Sequence, residues 1–486
     1  MTASSVPVPP AAPFVRGVML PPLSPPASRA GAWHWLRDNL FSGWLNTLLS
    51  VAALVVIWFL VAWLWPWLSH SVWNAASLAE CRQIIAATWG DEASGACFAV
   101  IRDRWHQYLF GFYPRDAYWR PVMTMGLLLI ALTPVLFSVS PVIRRWMLAG
   151  SGLVTMALMA VTQVPLAAAL VMLAIYGIAL VLAEYAPGRL WAVTLGYPVV
   201  AVWLLWGGSL WSPLMVMAGF GAGYGAARMI GLARAGPALL GGAIAALIWW
   251  LWLAGPAAAA LQSMIDLRLP ARTSREFGGF LLAMVIGVSG ITMSLPLGIM
   301  LALARRSDMF LIHTFAVVFI EFIRGVPLIT LLFVASTLLN FFMPPGTNFD
   351  IILRVIIMVT LFASAYMAEV IRGGLAALPR GQYEAADSLG LDYWQAQRLI
   401  VLPQALKISI PGIVGTFIGM FKDTTLVGLI GLYDPLKGVS DFVRSDFAWK
   451  GIYWEPLIFA GAIFFVICYA MSRYSMYLER RLSRSY

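Results

Sequence analysis

Lys422-Asp423-Thr424-Thr425 sets an ammonium, a carboxylate and two hydroxyls in consecutive positions. The group stands inside an apolar run from Ile408 to Leu432, where charge left against lipid is costly. Two readings fit it. Asp423 neutralises Lys422 locally, or the group faces an aqueous path and Asp423 answers the ammonium of a zwitterionic substrate. Gly412, Gly415 and Gly419 recur on the same stretch at spacings suited to close helix packing or to a break. A second constellation is Glu321 with Arg324, opposite charges on one helix face, followed by Gly325 and Pro327, which weaken the helix. It reads either as a gate or as a structural ion pair at the membrane interface. Glu369 and Arg372 repeat the spacing at the end of the next apolar segment, where interfacial anchoring is the plainer reading.

The third constellation is a polar stretch between apolar segments, Pro379 to Pro403. Pro379 suits a helix start, and Gly390 suits a left-handed stop after Glu384-Ala385-Ala386-Asp387-Ser388-Leu389. Asp392 is placed to cap a second helix, with Gln395 completing a capping box. The stretch therefore predicts a hairpin of two short helices. An ordinary loop between spans is short and basic; this one carries Glu384, Asp387 and Asp392, with Ala385 and Ala386 beside Leu389, Leu391 and Trp394. Small and apolar residues outside the membrane suggest a docking surface. The chain holds no GxxxxGK[ST] loop, so no nucleotide is bound by that route. Its three Cys and four His have no metal-site spacing.

These groups are positioned by membrane helices. Of 486 residues, 61% are hydrophobic and 11% charged, and the mean hydropathy is +0.82, values that exclude a soluble globular chain. The fold class is an all-α polytopic membrane protein. The net charge of +10 is what arginines in cytoplasmic loops produce and is no sign of nucleic-acid binding. Part of the 22 Trp is accounted for by interfacial belts. Residues 1–40 read as a disordered cytoplasmic tail, rich in Pro, Ala and Ser, and not as a secretory signal. An N-terminal membrane block covers 41–260, interrupted by a polar loop at about 69–119 on the opposite side. Cys81 and Cys97 fall in that loop, as a disulfide if the side is oxidising or as two unpaired thiols. A boundary is expected near 257–275, followed by a second membrane block over 275–480. Apolar segments near 46–68, 121–140, 146–163, 165–183, 190–210, 213–232 and 238–256, then 277–304, 311–342, 350–376, 404–430 and 455–478, predict about twelve spans. Arg144, Arg145, Arg189, Arg228, Arg234, Arg305 and Arg306 then fall on one side, with both termini in the cytoplasm.

Glu384-Ala385-Ala386, then Gly390, then Ile400-Val401-Leu402-Pro403, reproduce a long motif, and at these residues the chain resembles the permease subunits of bacterial ABC importers. IEFIRGVPLI, AYMAEVIRGGLAALPRGQYEAADSLG and FKDTTLVGLIGLYD are similar to the polar amino acid uptake branch, over roughly 275–480. The segment CRQIIAATWG…GACFAVIRDRW…FGFYPRDAYWRP extends the likeness to the larger permease of general L-amino-acid, or glutamate/glutamine/aspartate/asparagine, importers. The resemblance implies a C-terminal five-helix type I importer core in the bacterial inner membrane. It implies a periplasmic binding protein, a second related permease, and two ATPase subunits that carry ATP and Mg, with no cofactor in this chain itself. Glu384, Ala385, Ala386, Gly390 and Leu391 would form the coupling helix received by an ATPase groove. Asp423 would contact substrate, with Lys422 and Thr424 beside it, and Thr416 stands where some relatives carry a glutamate. Altered specificity or a main site in the partner permease would follow from that difference.

Two other classes compete. An ion-coupled secondary transporter would need no ATPase, but the two halves show no matching repeats or paired broken helices. A membrane-embedded enzyme or receptor finds no His/Asp/Glu constellation to support it.

Overall fold

The computed structural model describes residues 32–138, 140–231, 235–338, 341 and 349–483. Nearly every apolar run becomes a helix, as a chain without water to bond its backbone requires. Residues 1–31 and the Pro344-Pro345-Gly346 segment lie outside the described residues. The last part of the expected disordered tail, 1–40, is ordered instead: α1 (Ala32–Leu40) is helical. Its His34–Asp38 contact of 2.8 Å, one helical turn apart, and the Asn39 amide on the Trp35 carbonyl support that turn locally.

The chain divides into two units. The smaller holds residues up to Val72 together with Arg82–Ala96. Within it α2 (Trp44–Ser69) is apolar from Val51 to Leu68 and buries none of its residues. Past its end, Ala96 N–H donates to the Trp67 carbonyl and Val72 N–H to the Ala96 carbonyl, each at 2.8 Å, and His70 stacks on Trp89 at 4.8 Å.

The larger unit comprises Trp73–Cys81 and Cys97–Tyr486. The chain enters α3 (Leu78–Trp89) at its start and resumes before α4 (Ala99–Phe110). Cys81 and Cys97 are joined by a disulfide with Cα atoms 6.1 Å apart. This segment is tied to the turn before the last helix: Arg104 pairs with Asp446 at 2.7 Å, and Trp449 Nε1 donates to Asp103 at 3.0 Å. The Cys97 N–H also donates to buried Glu455 at 2.8 Å.

Next come α5 (Trp119–Leu136), α6 (Pro141–Val161), α7 (Leu166–Tyr185), α8 (Leu190–Trp206) and α9 (Trp211–Ile230). α10 (Ala235–Ile248) and α11 (Ala254–Met264) are joined through a π turn into one long span. A two-residue antiparallel pairing, β1 (Gly208–Ser209) with β2 (Arg268–Leu269), closes this block. The remaining helices are α12 (Gly279–Arg305), α13 (Phe310–Gly325), α14 (Leu328–Phe333), α15 (Ile351–Ala376), α16 (Gly381–Ser388), α17 (Tyr393–Ala396), α18 (Leu402–Asp423), α19 (Pro435–Ser445) and α20 (Trp454–Ser483). One hydrophobic core runs from Phe110 and Ile130 through Leu205 and Phe277 to Val359 and Val427, so it crosses the 257–275 boundary expected from composition.

Among the described residues nine helices are long and apolar enough to cross a membrane, or ten with one bent pair counted as a span. The expected dozen is not reached by that measure. α6 and α9 occupy the places of the missing two. The Arg144-Arg145 pair dilutes the apolarity of α6, and Gly219, Gly221, Gly223 and Gly225 dilute that of α9. The bent pair is α13 with the segment starting at α14, which meet at 99° across Val326-Pro327. Pro327 cannot extend the preceding helix and disfavours helical backbone at Val326, so the kink falls where the Gly-Val-Pro run predicts it.

Candidate functional site

α18 carries candidate chemistry at both ends, and α12 and α15 pack along it. Close crossing is set by small residues: a Cβ on Gly374 would stand 2.5 Å from the Ala405 carbonyl oxygen. Gly412 approaches Val370 in the same way, while Gly415 and Gly419 face open space. The expected close packing on this glycine run therefore rests on Gly412.

At the N-terminal end of α18 the hairpin forms as a capped pair. α16 ends at Ser388 with Leu389 as its C-cap, and Gly390 adopts φ +68°. The Gly390 N–H donates to the Asp387 carbonyl at 2.9 Å and the Leu391 N–H to the Ala386 carbonyl at 3.2 Å, the two bonds of a Schellman stop. Asp392 then accepts from the Gln395 N–H at 2.8 Å, and Gln395 Oε1 accepts from the Asp392 N–H at 3.2 Å. This is the expected capping box. Beyond α17 the chain passes through a π turn, Gln397–Val401, straight into α18, with Pro403 in the first turn. Pro403 is thus not a break: it stands within a continuous helical path, directly after the π turn.

The hairpin's outer surface is exposed. Glu384 and Ala385 face out, with Leu389 72% and Trp394 67% exposed, whereas Ala386 is fully buried beneath them. Two long-range contacts hold its base. Gln404 Nε2 donates to Gln382 Oε1 at 2.7 Å, and Arg306 donates to the Tyr383 hydroxyl at 2.9 Å with its guanidinium over the ring. The brace from Arg306 was not marked by any local pattern, since 77 residues separate the partners.

The charged residues beside the hairpin form a hub different from the one their spacing suggests. Among the described residues no ion pair joins Glu321 to Arg324. Glu321 pairs with Arg305 at 2.9 Å, and Arg324 reaches Glu369 at 3.9 Å. Glu369 also takes Arg305 at 2.5 Å and Arg372 at 2.9 Å, so one carboxylate joins α12, α13 and α15. α13 breaks directly after Arg324, and the end of α12 presents Arg305 across the gap. A cross-helix partner on Glu369 displaces the weak three-residue pair on one helix.

At the far end of α18, roughly 30 Å along the helix axis from the hairpin, the helix tightens into a 3₁₀ run, Thr424–Ile430. Lys422 is exposed and Asp423 is half-buried, and no ion pair joins them among the described residues. Thr424 is fully buried and its hydroxyl donates to the Phe421 carbonyl at 2.7 Å. Thr416 donates to the Gly412 carbonyl at 2.9 Å. Both hydroxyls are therefore bonded to their own helix, which leaves Lys422 and Asp423 as the chemically free groups of the expected set. Buried Asp434 follows the 3₁₀ run and was not singled out by the sequence. It caps α19 through the N–H groups of Leu436 at 2.9 Å and Lys437 at 3.2 Å, and burial pushes its carboxyl up to about 6.

No metal-ligating cluster of three or more His, Cys, Asp or Glu occurs among the described residues.

Comparison with known proteins joins these observations. Residues 294–484, which include the hairpin and the Lys422–Thr425 group, match the family described as binding-protein-dependent transport system inner membrane component. The glutamate/glutamine/aspartate/asparagine transport system permease protein BztC of Rhodobacter capsulatus is 56% identical over 478 residues, 97% of this chain and 99% of that protein. The inner membrane amino-acid ABC transporter permease protein YhdY of Escherichia coli is 34% identical over 464 residues, 95% of this chain and 96% of its own length. A solved amino acid ABC transporter with histidines covers 41% of this chain and 91% of its own at 32% identity, with a TM-score of 0.37. Matched over nearly its entire length, N-terminal spans included, this chain belongs to the family of multi-pass permease proteins of amino-acid ABC transporters.

Proposed function

We propose that the chain is the membrane subunit through which an ATP-driven importer passes L-amino acids of the polar class, glutamate, glutamine, aspartate and asparagine among them. The observation that carries this reading is the hairpin, closed by a left-handed glycine at its turn and a capping box after it, projecting exposed Glu384, Ala385 and Leu389 from an otherwise apolar chain. A rigid, exposed hairpin continuous with α18 suits force transfer from a soluble partner to the membrane helices. In this reading two ATPase subunits bind ATP and Mg and receive Glu384, Ala385, Gly390 and Leu391 in a groove, while Ala386, expected among the contact residues, is buried and packs beneath them. A related permease completes the path, and a periplasmic binding protein delivers the substrate.

Asp423 receives the substrate's ammonium, with Lys422 placed for a carboxylate, while Thr416 and Thr424 shape the helix around them. In this reading the chain carries no cofactor of its own, ATP and Mg being held by the partner ATPases. Both termini lie in the cytoplasm of a bacterial inner-membrane protein, which puts the disulfide on the oxidising side.

The complex, copurified with its partners and reconstituted in liposomes, tests the reading. Uptake of labelled glutamate or glutamine should require both ATP and the binding protein. ATP-independent uptake by liposomes holding this chain alone would return the chain to the secondary transporters.

A further inference from the structure

The ends of α12, α13 and α15 nearest the hairpin border an open cavity of about 440 Å³ lined by Arg305, Arg306, His313, Val317, Arg372 and Ala376. Four of the six lining residues are basic, and they come from three helices. Their neighbours leave a positive surplus. Glu321 and Glu369 are the carboxylates that answer Arg305, Arg324 and Arg372, so two negative groups face three positive ones. Arg306 adds a fourth guanidinium whose bonds go to neutral groups, the Tyr383 hydroxyl at 2.9 Å and the Leu375 carbonyl at 3.4 Å. His313 is fixed by a 2.7 Å bond in which Nδ1–H donates to the Arg305 carbonyl, so Nε2 donates to a phosphate oxygen only when the ring is an imidazolium.

Several forked donors around one small space suit the three or four oxygens of a phosphate. The source of that phosphate follows from the flank. Beside His313, α13 exposes Phe310 at 77%, Leu311 at 78% and Phe315 at 71%. A cationic cavity at the rim of an apolar helix face, at the end of a membrane helix, has the layout that seats a phospholipid headgroup with its acyl chains along the helix.

We propose that this cavity is a binding site for a phosphate group, supplied by an anionic phospholipid. Arg306 belongs both to the cavity wall and to the brace on Tyr383, so headgroup occupancy is felt at the base of the hairpin. The site does not depend on what the chain transports, and its test needs no transport assay.

The full chain in uncharged detergent is titrated with phosphatidylglycerol or phosphatidylcholine, and retained lipid is read by native mass spectrometry. Phosphatidylglycerol should be retained about tenfold more strongly, as the surplus of cations near a headgroup predicts. Arg306→Gln with His313→Gln should abolish the preference while leaving the ion-pair hub untouched. Val317→Phe, which fills the cavity without changing any charge, should do the same and guards against a folding defect in the first variant. If inorganic phosphate at millimolar levels displaces the lipid, and both variants lose phosphate binding too, the site stands and its occupant is free phosphate. Equal retention of the two lipids by the wild type, or an undiminished preference in both variants, overturns the proposal.

Discussion

The two ends of α18 solve opposite problems. At its N-terminal end, Gly390, Asp392 and Gln395 satisfy the turn's backbone groups within a dozen residues, and the turn stands exposed yet bonded. At its C-terminal end the helix narrows into a 3₁₀ run, and Lys422 and Asp423 are left without an ion-pair partner among the described residues. A surface meant to be gripped has to keep its shape when the partner leaves, whereas a surface meant to hold a changing ligand keeps its charges unspent. On the proposed function the difference puts force at one end and cargo at the other, and each end can be broken separately.

The largest effect is expected at the turn. Gly390 sits at φ +68°, and a Cβ there would meet nothing within 4 Å, so a substitution acts through the backbone alone. Gly390→Val should cost the turn about 1–2 kcal/mol or more, because left-handed backbone is strained for a residue with a Cβ and worse for a branched one. Uptake by the reconstituted complex should fall at least about tenfold while ATP hydrolysis persists, each kcal/mol of misplacement counting exponentially in the rate. Normal uptake with the mutant assembled would remove the coupling role.

At the other end Asp423→Asn keeps shape and loses charge. A charge-assisted bond to an ammonium is worth about 1.5–3 kcal/mol, so the KM for uptake should rise about tenfold or more, with subunit assembly unchanged. Should KM stay at the wild-type value, Asp423 serves only to hold its helix, and the contrast between the two ends disappears.

The same contrast explains what could be read in the sequence. Gly390, the Asp392–Gln395 box and the kink at Pro327 depend on residues within a turn of one another, and each forms where the pattern places it. The apolar runs likewise mark the helices well, because in lipid length and hydropathy decide the outcome. What was not legible needed a choice between distant partners. The three-residue spacing of Glu321 and Arg324 suggested a pair, yet Arg305 took Glu321 and Glu369 drew three arginines. Arg306 served in the sequence as a mark of sidedness, and its brace on Tyr383 emerges only when α12 and the hairpin meet. At the cargo end, composition located Lys422 and Asp423 but was silent on the turn behind them, where Asp434 packs against Gly428.

That turn supplies the smallest and most specific effect. Asp434 lies beyond the end of α18's apolar run, buried by its surroundings, and it anchors α19 while touching the 3₁₀ segment that carries Asp423's neighbours. Burial is the main cause that pushes its carboxyl up to about 6; the Leu436 and Lys437 N–H groups and the Lys437 ammonium pull the other way without cancelling it. In the unfolded chain the same carboxyl titrates near 3.9. Between these values the folded state holds the proton and the unfolded state has released it. Folding therefore binds protons in this window, so the group favours the folded state most below about pH 4 and loses that contribution as pH rises through about 6. Two pKa units bound the loss at about 3 kcal/mol. Asp434→Asn keeps an oxygen for the α19 cap and cannot titrate. The wild type in detergent should lose thermal stability between pH 4 and pH 6 relative to this variant, and the two should run parallel above pH 7. A midpoint difference that is flat across pH 4–6 would mean that Asp434 is solvated in the folded chain, and the turn behind Asp423 would then be looser than the capped hairpin's counterpart at the opposite end of the helix.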